Sequence, residues 1–523
     1  MTVAATPAPR HIRVMMAGLM VTVFMGMLDG QIVATSLPKV VTDLGGLNLF
    51  AWVTTGYIIA ASTTTPLSGK LGDLFGRKRV LMVSIVVFMA GSLASGLAGS
   101  MQLLIAFRVV QGLGAGGLVT GVLSIIGALF SPRERARYQS YLAMVFAVAA
   151  LAGPAIGGVL TDGLGWRWVF FINLPIGVAA LLVLGAWLRL PPSGRRDPVV
   201  DYPGIALLSG AIVTLILFAS WGGSRYPWGS PVIVLLGTAT LLLGALFTSV
   251  ERRAVEPVMP PHLFRDSTFS LCVAVALIGG AVFLGSINFL ALFVQGVTGA
   301  SATVSGLVLL PMMFGLVVST MVTGQVISRT GSYKWFPVAS MAVGLVGAVL
   351  LSTMTAGTSR FSAALYMLLL GVASGLSQQV LMIAAQNTAP ARDIGTATGT
   401  LTMARQAGSA LGLSVFATIF YTRLGDRLPR YLSPELRAEL GTSGAPVSPA
   451  TTHGLSGPLA HALSRAYADA LSPVFTATVP LLAAGLVMAL FLRNVPLQKT
   501  DRSTPAAPRT EAHMAIATEP DKD

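Results

Sequence analysis

The chain of 523 residues is 54% hydrophobic and only 10% charged, with 57 glycines and a mean hydropathy of +0.76, which excludes an ordinary soluble globule with a polar surface. A formal net charge of +14 invites a nucleic-acid reading, but the basic residues stand singly in short gaps between apolar runs rather than forming one patch. The single cysteine, Cys272, lies inside an apolar run and the five histidines (His11, His262, His453, His461, His513) fall in tails or loops, so no intrachain disulfide, thiolate metal cluster or intramembrane imidazole is available.

A hydrocarbon core about 30 Å thick calls for roughly 20 apolar residues per helical span. About fourteen runs of that kind occur, at 13–37, 49–70, 79–99, 102–130, 138–162, 166–189, 203–222, 231–250, 268–296, 302–328, 335–355, 361–388, 394–422 and 471–493. The polar stretch with Arg10 and Arg13 precedes a first run longer than a signal peptide's core and without a small-residue cleavage pattern, so it reads as a retained helix.

The connecting segments test this count through the rule that cytoplasmic loops collect Lys and Arg. With the N-terminus inside, the inward segments hold Lys70, Arg77, Lys78 and Arg79, then Arg133, Arg135 and Arg137, then Arg189, Arg195 and Arg196. Further along they hold Arg252, Arg253 and Arg265, then Arg329 and Lys334, then Arg392, whereas the short outward segments hold only Lys39, Arg167, Arg225 and Arg360. Both termini are cytoplasmic on this pattern, in a multi-pass protein of the cell's cytoplasmic membrane. The long outward segment 423–470 departs from it with five arginines, as long loops do; Leu432–Leu440 and Pro458–Ala470 read as short amphipathic helices within it, resting on the outer leaflet.

The chain therefore divides into a cytoplasmic tail (1–12), a six-helix bundle (13–189), an inserted helix pair with its linkers (190–265), a second six-helix bundle (266–494) carrying the outer loop 423–470, and a tail (495–523) whose Pro, Thr, Ala and charge content predicts disorder. The spacing G-x-x-x-D-x-x-G at Gly69, Asp73 and Gly76 is echoed by Gly324, Ser328 and Gly331, as duplication of one bundle would produce. The fold class is all-α integral membrane.

Asp29, inside the first span, is the one carboxylate placed at membrane depth, where an ionised acid must face a cavity, take a proton or find a cation. It lies about eight residues, or roughly 12 Å, from the outer end of its helix, and Arg108 in the fourth span lies at similar depth. Two readings stand: a proton switch in which the guanidinium sets the charge of the carboxyl, or a permanent structural pair. A carboxyl sealed from water in a rigid niche would speak for the second. Arg405, mid-way along the thirteenth span with no acid near it in its half, either meets backbone carbonyls or awaits an anionic substrate group.

The run from Gly69 through Asp73, Gly76, Arg77, Lys78 and Arg79 is a tight turn that either anchors the loop or bridges helix ends and breaks as the halves rock. Gly153, Pro154, Gly157 and Gly158 lower helix propensity in the fifth span and serve as a packing seam or a bending point. Asn288 and Gln295, and likewise Gln379 and Gln386, share a helix face at a spacing of seven, for interhelical hydrogen bonding or for a cavity wall. Trp52, Tyr57, Phe283 and Phe289 offer rings to a ligand or to lipid and core.

Taken together these residues resemble the major facilitator superfamily, in particular its fourteen-helix drug:proton antiporters, over residues 13–495. Residues 69–79 resemble the superfamily's cytoplasmic loop motif. Arg108 with Gln111, Gly112 and Gly114 resembles its helix-four motif, Gly153-Pro154-x-x-Gly157-Gly158 its antiporter motif, and Leu28-Asp29-x-x-Ile-Val with Leu37-Pro38 the branch's helix-one motif. Trp166 through Asn173 and Pro175 is similar to a stretch typical of the fourteen-helix branch. Gln31 and Ala34 replace the usual Thr and Asn, Ala149 replaces a Gly, and the second half lacks a membrane acid.

The resemblance implies a major facilitator fold and a proton-coupled antiporter that exports lipophilic small molecules by alternating access, drawing on the proton gradient and using no cofactor or metal. It implies Asp29 and Arg108 for proton coupling, Gly69, Asp73, Gly76, Arg77 and Lys78 for cytoplasmic gating, and Gln31, Tyr57, Gln111, Asn288, Gln295, Gln379 and Arg405 as cavity lining. Partners are the small-molecule substrate, protons and the lipid bilayer, with no nucleic acid, and the chain is read as a monomer. The missing second acid suits monovalent, neutral or zwitterionic cargo. A lipid or lipid-linked metabolite is the alternative cargo, and an enzyme is excluded because the membrane interior holds no nucleophile with a base.

Overall fold

In a computed structural model, the described residues are 9–46, 49–190, 198–223, 225–298, 302–432, 457–493 and 497. They form α1 (Pro9–Leu44), α2 (Phe50–Phe75), α3 (Arg77–Gly96), α4 (Met101–Leu129), α5 (Pro132–Gly163), α6 (Trp168–Phe171) and α7 (Asn173–Trp187). The inserted pair is α8 (Tyr202–Trp221) and α9 (Pro231–Glu251), and a short α10 (Pro261–Arg265) leads into the second half. There α11 (Ser267–Gly279) passes through a π turn (Gly280–Leu284) into α12 (Gly285–Gly296), followed by α13 (Ala302–Thr330), α14 (Trp335–Ser352), α15 (Arg360–Thr388), α16 (Ile394–Tyr431) and α17 (Gly457–Leu490).

Helix starts follow local chemistry. The side chains of Ser100, Asp201, Ser230, Asp266 and Ser359 accept hydrogen bonds from first-turn amides of α4, α8, α9, α11 and α15, satisfying donors that no intrahelical carbonyl reaches. Before α5, Glu134 accepts from the Ser131 N–H and hydroxyl, and Pro132 takes the position where no N–H is needed. Between α2 and α3 the chain turns at Gly76 with φ of 97°, a region that a side chain rarely enters.

A helix meets each predicted span. Among the described residues, twelve candidate spans are long and apolar enough to cross a membrane. The other two helices, α2 and α16, carry Thr63, Thr64 and Thr65, and Thr396, Thr398, Thr400, Thr402 and Arg405. They pack against each other between the two halves, and Thr396, Thr398, Thr400 and Thr402 are buried there rather than offered to lipid.

The span 268–296 is met by one continuous crossing, Ser267–Gly296, that runs through the π turn, where a Cβ at Gly280 would collide with the carbonyl oxygen of Arg405. Two expectations are corrected. Pro458–Ala470 is not a separate surface helix but the start of α17, with Leu463, Ala466, Tyr467 and Ala470 buried and Ser464 donating to the Val297 carbonyl at 2.8 Å. Its apolar stripe faces α12 and α16 rather than a leaflet. At the start of the tail predicted to be disordered, Leu497 donates to the Gly331 carbonyl at 2.9 Å and accepts from Arg133 Nε at 2.7 Å. The rest of 495–523, and the proposed helix 432–440 beyond Leu432, lie outside the described residues.

Helix pairing repeats between the halves. In the first, α1 packs on α5 while α2 and α3 pack on α4; in the second, the α11–α12 unit packs on α16 while α13 and α14 pack on α15. The halves meet where α2 contacts α16 and α5 contacts α13, and α8 of the inserted pair lies against both α2 and α16. Lipid tails are as apolar as leucine, so close approach replaces hydrophobic driving force inside such a bundle. On α4, a Cβ at Gly112 or Gly116 would press on backbone oxygens of α2, and one at Gly114 or Gly117 on α3.

Candidate functional site

Asp29 reaches across from α1 to the first bundle's interior and is wholly buried at 0% exposure. Its Oδ2 accepts from Arg108 Nη1 at 2.6 Å, and its Oδ1 accepts from Gln111 Nε2 at 2.8 Å and Asn173 Nδ2 at 2.9 Å. The turn spacing of α4 puts Arg108 and Gln111 on one face. Asn173, the first residue of α7, also donates to Ser92 Oγ at 3.0 Å, and Ser92 donates to the Phe170 carbonyl at 2.8 Å. Helices α1, α4 and α7 therefore meet at one carboxylate, and α3 supports it through Ser92 and Asn173.

Every described contact of that carboxylate is a donor, and the acid presents no surface to water. In this conformation Asp29 and Arg108 are a buried ion pair. Arg108, however, has acceptors besides Asp29: Gln111 Oε1 at 2.8 Å, the Val53 carbonyl at 3.5 Å and the face of Tyr57 with its centroid 4.0 Å from Cζ. The guanidinium thus keeps partners if the carboxylate leaves it, which lowers the penalty of an uncompensated buried cation. Gln111, expected on a cavity wall, is wholly buried in this network, and half-buried Tyr57 covers the guanidinium. Asn173 and Ser92 were not among the expected site residues; Asn173 stood in a motif-like stretch of sequence, but only folding brings α7 to α1.

A second polar cluster ties the two bundles together at the end bearing Arg77, Lys78, Arg133 and Arg329. Asp73 Oδ1 accepts from Arg77 Nη2 at 2.8 Å and from the Gly395 amide at 3.1 Å, while Oδ2 accepts from the Thr396 amide at 2.8 Å and its hydroxyl at 3.1 Å. A carboxylate at the N-terminus of a 38-residue helix meets free amides and the positive end of the helix dipole. Arg77 also donates to the Ala391 carbonyl at 2.9 Å. A Cβ at Gly69 would fall on the Gly395 carbonyl oxygen, and one at Gly399 would press on Pro66, so small residues set how closely α2 and α16 meet. Lys78 instead caps α7, donating to the carbonyls of Gly185 and Leu188 at 2.9 and 2.7 Å.

The same end carries a second seam. Gln139 on α5 donates to Gln386 Oε1 at 3.2 Å, and Gln386 donates to Thr398 Oγ1 at 2.9 Å and the Leu123 carbonyl at 3.2 Å. Arg133 donates to the Arg329 carbonyl at 3.3 Å. The glycine run of α5 faces α1: a Cβ at Gly153 would strike Gln31 and one at Gly157 would strike Thr35, whereas Gly158 has nothing near it and Pro154 is exposed. That is a packing seam within the first bundle.

The remaining expected lining residues separate. Asn288 is exposed and Gln295 half-buried on α12. Arg405 borders a cavity of the second bundle with Ser374, Ser377 and Gln378, and Gln386, on the face it shares with Gln379, makes interhelical hydrogen bonds.

Residues 19–413 match the family described as the Major Facilitator Superfamily. An uncharacterized MFS-type transporter of Mycobacterium tuberculosis is 39% identical over 498 residues, 94% of this chain and 71% of the relative. The multidrug transporter protein MdtP of Bacillus subtilis is 34% identical, covering 81% of this chain and 78% of its own. Among solved structures, the human organic anion transporter MFSD10 (TETRAN) superposes with a TM-score of 0.62 at 15% identity, over 92% of this chain and all of that one, which speaks for the fold alone.

Proposed function

Because the chain belongs to the Major Facilitator Superfamily, we propose that it is a proton-driven exporter of lipophilic small molecules, working by alternating access across the cytoplasmic membrane with fourteen crossings and both termini inside. The relative named as a multidrug transporter supports the cargo class. The observation that carries the transport cycle is the latch at the basic end, where Asp73 holds the start of α16 through hydrogen bonds that rigid-body tilting can break and remake. On the positive-inside rule that end is cytoplasmic, so this conformation is closed to the cytoplasm.

Asp29 is the proton carrier in this reading. Its proton exchange belongs to a conformation in which the network with Gln111 and Asn173 opens, and the further acceptors around Arg108 hold the guanidinium meanwhile. Efflux of a fluorescent lipophile from proteoliposomes, with and without an imposed pH gradient, tests both parts. Export that ignores the gradient removes proton coupling, and full gradient-driven export by Asp29→Asn removes Asp29 from it.

A further inference from the structure

Arg108 in α4 and Arg405 in α16 both lie well inside their helices, and the two are treated differently. Arg108 is paired with a carboxylate. Arg405 makes no hydrogen bond, ion pair or ring contact with another described residue, yet it lies eleven residues into α16, roughly 16 Å along the helix and so near mid-membrane. Its half-buried side chain borders a narrow cavity of about 30 Å³ that widens into an open mouth. No other lining residue is charged: Ser374, Ser377 and Gln378 supply hydroxyls and an amide, and Phe283 and Met382 supply apolar wall.

A fixed cation without a counter-charge, bordering a mostly apolar cavity with neutral donors beside it, is complementary to an amphipathic anion. Arginine's planar fork matches a carboxylate in two parallel hydrogen bonds, and the apolar wall takes the body of the molecule. Gly279 and Phe283, on either side of the start of the π turn, line the same cavity, and Gly280 packs on the Arg405 backbone. Such turns recur at functional sites. An occupant would therefore bear directly on the one π turn among the described helices.

We propose that this cavity binds the carboxylate group of a lipophilic organic acid, so that the cargo includes amphipathic anions. The proposal rests on the reading of the chain as an exporter for its role, though not for the binding itself. The test is equilibrium binding of radiolabelled 2-naphthoate to the purified full-length protein, with neutral 2-naphthamide as competitor. The site requires that naphthoate bind at least tenfold tighter than the amide, that Arg405→Gln reduce this preference to about twofold or less, and that Arg405→Lys retain part of it. Equal affinities in the unaltered protein, or an undiminished preference in Arg405→Gln, overturn it. A thermal unfolding midpoint for each variant shows that it is folded, and Arg405→Lys keeps the test decisive should Arg405→Gln fail to fold. Naphthoate that binds with this preference but is never moved by a pH gradient sustains the site and overturns the export reading.

Discussion

The carboxylate of Asp73 accepts a hydrogen bond from the backbone amide of Thr396 at 2.8 Å, so a side chain at the end of α2 serves as the N-terminal cap of a helix in the other half of the molecule. Hydrogen bonds to a charged partner contribute about 1.5–3 kcal/mol each, and here they exist only while the halves touch.

Asp73→Ala removes the cap and leaves the amides of Gly395 and Thr396 without it. A cost of about 2 kcal/mol to the closed state corresponds to a roughly thirtyfold shift toward the cytoplasm-open one. In a Cys272→Ser background carrying Ser140→Cys, buried at the α5 and α13 seam, the labelling rate by an impermeant maleimide added from the cytoplasmic side should rise by that order. An unchanged rate would show that Asp73 does not govern closure.

Gly69→Ala places a methyl on the Gly395 carbonyl oxygen, a collision with backbone that no rotamer relieves. Closure, and with it transport, should fall at least tenfold while the thermal midpoint of each separate bundle moves little. Gly158→Ala meets nothing within 4 Å and should leave transport intact and add roughly 0.5–1 kcal/mol of helix stability. Equal transport by the two alanine variants would contradict the seam.

Asp29→Asn leaves Arg108 as a buried cation without a counter-ion; removing one partner of such a pair costs up to about 3–5 kcal/mol, and the remaining contacts to Gln111, Val53 and Tyr57 place this loss toward the lower end. The double variant Asp29→Asn with Arg108→Gln should recover most of that stability in detergent melts without recovering pH-gradient-driven export. Recovery of export together with stability would make the pair a structural one.

Gln139 and Gln386 couple α5 to α15. Either single change to leucine strands a buried amide group, at a cost of about 1–3 kcal/mol, whereas changing both removes the stranded partner. A double-mutant cycle on the unfolding midpoint should therefore show the double variant less destabilised than the sum of its singles; simple additivity would mean that the two amides do not interact.

Composition and the spacing of apolar runs by themselves determined the helical membrane architecture, because a bilayer permits few ways to satisfy a backbone and fixes helix length. The loop motif at Gly69, Asp73 and Gly76 was likewise legible as a turn, since glycine and a charge at that spacing constrain local geometry. The tertiary structure alone decided what each polar group touches. Asn173 meets Asp29 and Ser92 holds Asn173, all from distant parts of the chain, and Gln111, which the family resemblance implied as cavity lining, is buried against Asp29. The first turns of α17 looked like a surface helix because an apolar stripe reads the same against lipid and against α12. For the two arginines the sequence offered the same symbol in the same kind of helix; only the packing of α1 and α7 gave Arg108 a counter-ion, and the gap between α11, α15 and α16 left Arg405 without one.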